Sequence, residues 1–473
     1  MRTLRRPLVL AATLSLAAVT LAACSSSSSS SSSTTAASGG SSGSSSCSKA
    51  TLDKASGPVN INFWESMPRQ NGVVITQLVD AFNASQSKVH VNLVAQTSYN
   101  DTWQKYQAGL SNGQLPDVVQ LQDTDTQAAV DTQSITPVQS CWSGFGYSPG
   151  DLLARALAYW NIQHVQEAMP FAVSGPVLYY NQLAYQKAGL DPAKPPATLQ
   201  ALSAAAHTLK AAGQGGLGLK VDPWYLETQL ATANQLFANN SNGRSARVTR
   251  TVFNNPTGVS VFNILKQMVT SGDAGTNSAN GSDAYDNLLG VGSGKYSMTI
   301  DTSAALGTIE TLLAQYPNVK LGVAPIPTIQ STPTGGVEPG GSALWICKRS
   351  SAAAQAAAWT FIAFMTSASS QATWSAGTGY VPLRTSSAQS PTVQAVWTKE
   401  PGFKVAYTQL TSGAQTPATA GAVIGPYDSV RTAIVTAENS MFVSGTSASA
   451  AITAAQVASN KLISDYNQRL GVG

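Results

Sequence analysis

The chain has 473 residues, 11% of them charged, and a formal net charge of +4, against about 25% charged residues in typical soluble domains. So mild and unclustered a positive balance excludes nucleic acid as a partner. After the terminal segments are set aside, the remaining length is too great for one small core and implies two lobes.

The opening segment "MRTLRRPLVLAATLSLAAVTLAAC" places Arg2, Arg5 and Arg6 before an apolar run and then small residues. That is the pattern of a secretory signal over residues 1–23, with an apolar run too short for an ordinary membrane span. Leu21-Ala22-Ala23-Cys24 resembles a bacterial lipobox, so Cys24 is expected to carry lipid and anchor the chain outside the cytoplasm. Nine serines, Ser25 to Ser33, open a Ser/Gly/Thr tract. Residues 24–57 are therefore expected to form a flexible, lipidated tether, because such composition cannot bury a core. Cys47, Cys141 and Cys347 have no CxxC spacing, which argues against a zinc site. They permit one disulfide and leave one thiol, and the sequence does not choose the pair.

The folded part begins with "VNINFWES", which alternates Val59, Ile61 and Phe63 with Asn60 and Asn62 and predicts a strand. "NGVVITQLVDAFNASQ" places Val74, Leu78, Ala81 and Phe82 on one helical face. "KVHVNLVAQ" alternates again, so the three segments read as a βαβ unit of a parallel sheet. A helix with Trp103, Tyr106 and Leu110 on one face follows, and then a strand over Val118–Leu121. Ligands of open α/β sheets lie beyond the carboxyl ends of such strands. Tyr99 and Asp123 both fall just past strand ends.

The segment from Pro170 to Pro192 runs from an apolar strand into a tyrosine pair and then a helix stopped at Gly189. Helices are expected over "ATLQALSAAAHTLKAAG", with a stop at Gly213, and over "PTGVSVFNILKQMVTSG", with Val261, Leu265 and Met268 inward. "YSMTIDTSAAL" reads as a strand, Ser297–Ile300, turning into a helix near Ser303. "GGSALWICKRS" is a glycine-opened strand. "SAAAQAAAWTFIAFMTS" is a buried helix with Trp359, Ile362 and Met365 in the core. An amphipathic helix closes the chain. This alternation places the protein in the α/β class.

Signals of catalysis are missing. His90, His164 and His207 stand in strand, turn and alanine-rich helix contexts that suit structural or exposed roles. No HExxH, GxSxG or EF-hand loop occurs. "GVGSGKYS" fails as a phosphate loop, because Leu289 stands where the first glycine is needed and Tyr296 replaces the Ser/Thr. It reads as a loop before a strand. Asp123, Asp222, Glu227 and Asp301 have no motif linking them.

The order and spacing of "FWESM", "AFNASQSKVHV", "TSYNDTWQK", "LPDVVQLQD", "SGPVLYYNQLAYQKAGLDPAKPPATLQAL", "GGSALW" and "GYVPLR" resemble the family 1 extracellular solute-binding proteins of ABC importers. Within that family the chain is most similar to the glycerol-3-phosphate-binding subgroup. The resemblance spans Val59 to Leu470. It implies a two-lobed, periplasmic-binding-protein-like fold of type II with ligand held between the lobes. Residues 58–172 and 302–348 are expected in the first lobe, and 173–301 and 349–473 in the second.

By position in those motifs, Tyr99, Ser174, Thr302 with Ser303, and Tyr380 supply hydroxyls, and Gly341 supplies a backbone N–H. Trp224 matches one of two family tryptophans, and "GLGLKVDPW" has no counterpart of the other. Asp123 stands where the subgroup has a longer acid. Arg431 in "YDSVR" matches the arginine that pairs with phosphate. The set is chemically coherent: hydroxyls, an N–H and a guanidinium suit an oxyanion, an acid accepts from a diol, and an indole face covers carbon or a quaternary ammonium. Other roles remain open for four of these residues. Tyr380 and Trp224 also suit a core, Arg431 a surface ion pair, and Asp123 a helix cap.

The shorter acid and the missing tryptophan both enlarge the glycerol side. The expected ligand is therefore a glycerophosphodiester such as glycerophosphocholine, or glycerol-3-phosphate. A di- or oligosaccharide is the alternative within binding proteins, and a secreted glycerophosphodiester hydrolase is the alternative outside them. The expected partners are the solute and the transmembrane permease subunits of an ABC importer. The chain is expected to act as a monomer, without metal or cofactor.

Overall fold

In the computed structural model, residues 47–278 and 285–472 are described. The signal segment, Cys24 and most of the tether lie outside the described residues. The strands are β1 (Val59–Glu65), β2 (Val89–Ala95), β3 (Val118–Gln122), β4 (Ile135–Thr136), β5 (Asn161–Ile162), β6 (Val165–Gln166), β7 (Met169–Ser174), β8 (Pro176–Asn181), β9 (Leu217–Val221), β10 (Ala274–Ser278), β11 (Met298–Thr302), β12 (Leu321–Pro325) and β13 (Gly340–Cys347).

The alternation in the first strand places Ile61 and Phe63 inside and Asn60 and Asn62 in solvent. β1 pairs in parallel with β2, Ile61 opposite Val91, and with β3, Phe63 opposite Val118. The crossover helix Arg69–Ser85 buries Val74, Leu78 and Phe82. Ala81, expected on that face, is exposed. The first sheet runs β2-β1-β3-β13-β4, with β7 added to β13. The second runs β10-β9-β11-β8-β12. β5 and β6 form a small hairpin. One hydrophobic core surrounds the first sheet and a second lies on the second sheet, and β8 divides between them, with Val177 and Tyr179 in the first and Leu178 and Tyr180 in the second.

The chain passes from one sheet to the other at Gly175, between β7 and β8, and again between β12 and β13. Two stretches differ from the expected lobe boundaries. β12, expected in the first lobe, pairs with β8 in the second sheet from Leu321↔Asn181 to Pro325↔Val177. The helices Ala352–Met365 and Ala368–Thr378, expected in the second lobe, pack on the first sheet and on the helix Arg69–Ser85. The reason is positional. β13 ends inside the first sheet, so the alanine-rich helix that follows lies down on that sheet. Phe361 sits 5.2 Å in ring centroid from both Phe63 and Phe82. Trp359, Ile362 and Met365 are buried as the pattern requires.

"GVGSGKYS" is helix through Gly292, within Asp286–Gly292, and then a turn at Gly294. The expected loop is thus half helix. All three histidines are exposed. No described helix is long and apolar enough to cross a membrane.

The disulfide joins Cys47 to Cys141, closing 94 residues of separation onto the helix Gln139–Phe145. Cys347 is a buried thiol on β13, and burial pushes its ionisation far up. Two outcomes are expected. Replacing Cys47 and Cys141 together by alanine should cost about 2–5 kcal/mol of stability, read as a lower denaturant midpoint. Cys347 should resist alkylation in the native protein and react fully once it is unfolded.

Candidate ligand-binding cleft

Three strand ends and two helix starts meet at one place. Tyr99 opens the helix Tyr99–Asn112 behind the Ser98 cap. Asp123 follows β3 directly, and Ser174 ends β7. Thr302 ends β11, and Trp224 opens the helix Trp224–Thr232. Together with Gly341, Tyr380 and Arg431 they line a cleft that encloses about 780 Å³ of empty space, its open mouth included.

Ser303 stands apart. It is fully buried and does not line the cleft. Its N–H donates to the Gly175 carbonyl at 2.9 Å, and its hydroxyl accepts from the Gly175 N–H at 3.4 Å. It ties the start of the segment after β11 to the crossing at Gly175, and of the nine expected ligand contacts it is the one that the fold does not bring to the cleft lining.

The glycine pair at the start of β13 shapes the floor. Gly341 has φ +120°, and a β-carbon there would collide with the Ala172 carbonyl oxygen. At Gly340 a β-carbon would lie 2.7 Å from Cζ2 of Trp224. Only glycine lets the indole lie this close. Trp224 is therefore half-buried in the cleft wall and not part of a core. Tyr380 has both roles, stacking on Trp374 at 5.1 Å while lining the cleft. Tyr99 Oη donates to Ser342 Oγ at 3.1 Å.

Arg431 projects from the helix Tyr427–Val443, and its side chain is 18% exposed. Its Nε donates to Glu227 Oε1 at 2.9 Å, and its Nη2 to Glu227 Oε2. The ion pair weighed in the sequence thus exists, but it is largely buried and its partner is Glu227. Asp123 Oδ1 accepts the Thr124 N–H at 2.8 Å, and neither the turn it opens nor the helix Thr126–Asp131 has a side-chain cap, so the helix-cap role is not taken up. Burial raises the Asp123 pKa to about 6, opposed by Arg431 and assisted by Glu227. Behind them Glu338 accepts the Thr228 hydroxyl at 3.0 Å. Its pKa is pushed up to about 8, first by burial and then by the charge of Glu227.

Sequence reasoning missed Lys220. It lies on β9, whose five residues are all buried, and its ammonium is 3.4 Å from Asp301 Oδ1. A lone lysine in an apolar strand was the available signal. Asp222 and Asp301 also line the cleft, although no motif connected them. Glu227 was legible only as the residue one helical turn past Trp224.

Among the described residues no histidine or cysteine lines the cleft, and no cluster of His, Cys, Asp or Glu could hold a metal ion. The walls offer hydroxyls, a guanidinium, carboxylates and an aromatic face, a set that recognises a polar solute through many directed contacts. Two α/β lobes linked by several crossings around such a cleft define a solute-binding protein.

Residues 77–404 match the family described as bacterial extracellular solute-binding protein, and the chain belongs to that family. It is a solute-binding protein of an ABC importer, a receptor and not a hydrolase. The sn-glycerol-3-phosphate-binding periplasmic protein UgpB of Salmonella typhimurium is 26% identical over 399 residues, covering 82% of this chain and 88% of the relative. Two solved structures share the fold. The GacH receptor of Streptomyces glaucescens, studied with acarbose, has a TM-score of 0.72 at 21% identity, covering 86% of this chain and 99% of its own. UgpB of Mycobacterium tuberculosis with glycerophosphocholine has a TM-score of 0.70 at 22% identity, covering 87% and 99%.

The buried acids have a consequence for stability. Glu338 has a folded pKa of about 8, above the ordinary value of 4.5. Its favourable contribution is complete below about pH 4.5 and is lost as pH rises through 8. Glu338→Gln keeps an acceptor for Thr228 and removes the charge. The variant should be more stable than the wild type at pH 8.5, by on the order of 3 kcal/mol. It should also lose less stability between pH 5 and 8.5, as measured by denaturant melts at each pH.

Proposed function

We propose that this chain captures a glycerol-phosphate solute, either a glycerophosphodiester or glycerol-3-phosphate, outside the cytoplasm and delivers it to the permease of its importer. A lipid on Cys24 would hold the receptor at the membrane. The observation that carries the reading is the division of Arg431. Its Nε–Nη2 edge is taken by Glu227, while Nη1 has no assigned hydrogen bond and the side chain borders the cleft. A phosphate oxygen at that open side completes a charge-assisted contact, and the Ser174 and Thr302 hydroxyls line the same cleft. Asp123 then accepts from the glycerol hydroxyls, and Trp224 covers carbon. The relatives described as glycerol-3-phosphate-binding support this direction.

One observation favours a sugar instead. Carboxylates outnumber cations around the cleft: Asp123, Asp222, Glu227 and Asp301 stand against Arg431 and Lys220. An acid-rich, aromatic cleft also suits a neutral saccharide.

Calorimetry on Arg431→Lys separates the two. The substitution preserves a charge for Glu227 and removes the planar fork. Affinity for glycerol-3-phosphate is expected to fall by about 2–3 kcal/mol, with a smaller fall for Asp123→Asn. For a disaccharide the order should reverse. Unchanged phosphate affinity in Arg431→Lys would remove the phosphate reading and leave the sugar one.

A further inference from the structure

Trp224 borders two recesses of the same cleft. One holds Arg431 with Asp123 and Glu227. The other holds Lys220 with Asp222 and Asp301 and is backed by Pro176, Tyr225 and Ile300. Phosphate and glycerol lie against Arg431 and Asp123 in the reading above, and nothing in that reading uses Lys220, Asp222 or Asp301.

The chemistry of the second recess is specific. The Lys220 side chain is 9% exposed, and its one assigned contact is the 3.4 Å approach to Asp301 Oδ1. An ammonium has three donors, and a buried donor left unmet is costly. Asp301 is held in place: Oδ1 accepts the Thr302 N–H at 2.7 Å, and Oδ2 accepts from Asn287 at 2.9 Å. Asp222 is fixed by accepting the Trp224 N–H on Oδ1 at 3.0 Å, and no hydrogen bond to Oδ2 is assigned. The recess therefore offers donors and an acceptor side by side, on rigid supports. A hydroxyl meets both needs, accepting from Lys220 and donating to Asp222. A quaternary ammonium completes neither hydrogen bond, because it can neither accept from Lys220 nor donate to Asp222.

We propose that Lys220, Asp222 and Asp301 form a head-group subsite beside Trp224 that selects a polyhydroxylated head group over choline. The proposal rests on the glycerol-phosphate reading and names the substrate class within it. A glycerophosphodiester with a polyol head would lie in the main cleft, which Arg431, Trp224, Lys220, Asp222 and Asp301 all line.

The test is calorimetry on the full folded protein with three probes: glycerol-3-phosphate, glycerophosphocholine and glycerophosphoinositol. The wild type is expected to bind glycerophosphoinositol at least tenfold more tightly than glycerophosphocholine. Lys220→Met should lower affinity for glycerophosphoinositol at least tenfold more than affinity for glycerol-3-phosphate. Asp222→Asn, at a less buried position, should reduce the same preference at least threefold and serves if Lys220→Met does not fold. A wild-type preference for glycerophosphocholine overturns the subsite, and so does a preference for glycerophosphoinositol that survives both substitutions. In those cases the glycerol-phosphate reading stands. A wild type that binds none of the three probes overturns that reading and the subsite with it.

Discussion

Arg431 carries a permanent charge into a wall where 18% of its side chain meets solvent. A charge so placed must be paired, because the cost of an unpaired buried ion exceeds that of almost any other defect. Glu227 supplies the pair from a separate helix, in the two-point geometry that suits a guanidinium. Burial is the larger influence on the neighbouring acids: it pushes Glu338 and Asp123 toward their neutral forms, Glu227 adds to the push, and Arg431 opposes it.

The cleft also depends on the backbone that divides it. Gly340 and Gly341 begin the strand that carries the first sheet's central pairings, and they do so where Trp224 and the Ala172 carbonyl leave no room for a side chain. Gly175 and Ser303 are hydrogen-bonded to each other where the chain changes sheets. Binding proteins of this architecture close around ligand by rotating at a few such residues. Ser303 is tied to Gly175 by two hydrogen bonds, while its neighbour Thr302 lines the cleft.

Two ion pairs of different strength flank Trp224. Arg431–Glu227 is close and two-point, while Lys220–Asp301 is a single longer approach whose carboxylate is already engaged with Thr302 and Asn287. The first is largely satisfied within the protein. The second leaves hydrogen-bonding capacity at the Lys220 ammonium unmet. A receptor for a small solute gains discrimination from such incompletely satisfied groups, because a ligand that fails to complete them leaves them buried and unmet.

The sequence by itself determined what depends on near neighbours. Period-two alternation marked β1 and β2, 3.6-residue spacing marked the helices Arg69–Ser85 and Pro256–Thr270, and the order of short motifs placed eight of nine candidate residues on one cleft. Tertiary structure alone decided what depends on residues far apart in the chain. It joined Cys47 to Cys141 and left Cys347 reduced. It moved β12 into the second sheet and the helix Ala352–Met365 onto the first. It paired Glu227 with Arg431 across 204 residues and Lys220 with Asp301 across 81. A strand's own pattern says that one face is buried, but not which sheet buries it. A charged residue's neighbours in sequence do not reveal the counter-charge that folding brings to it.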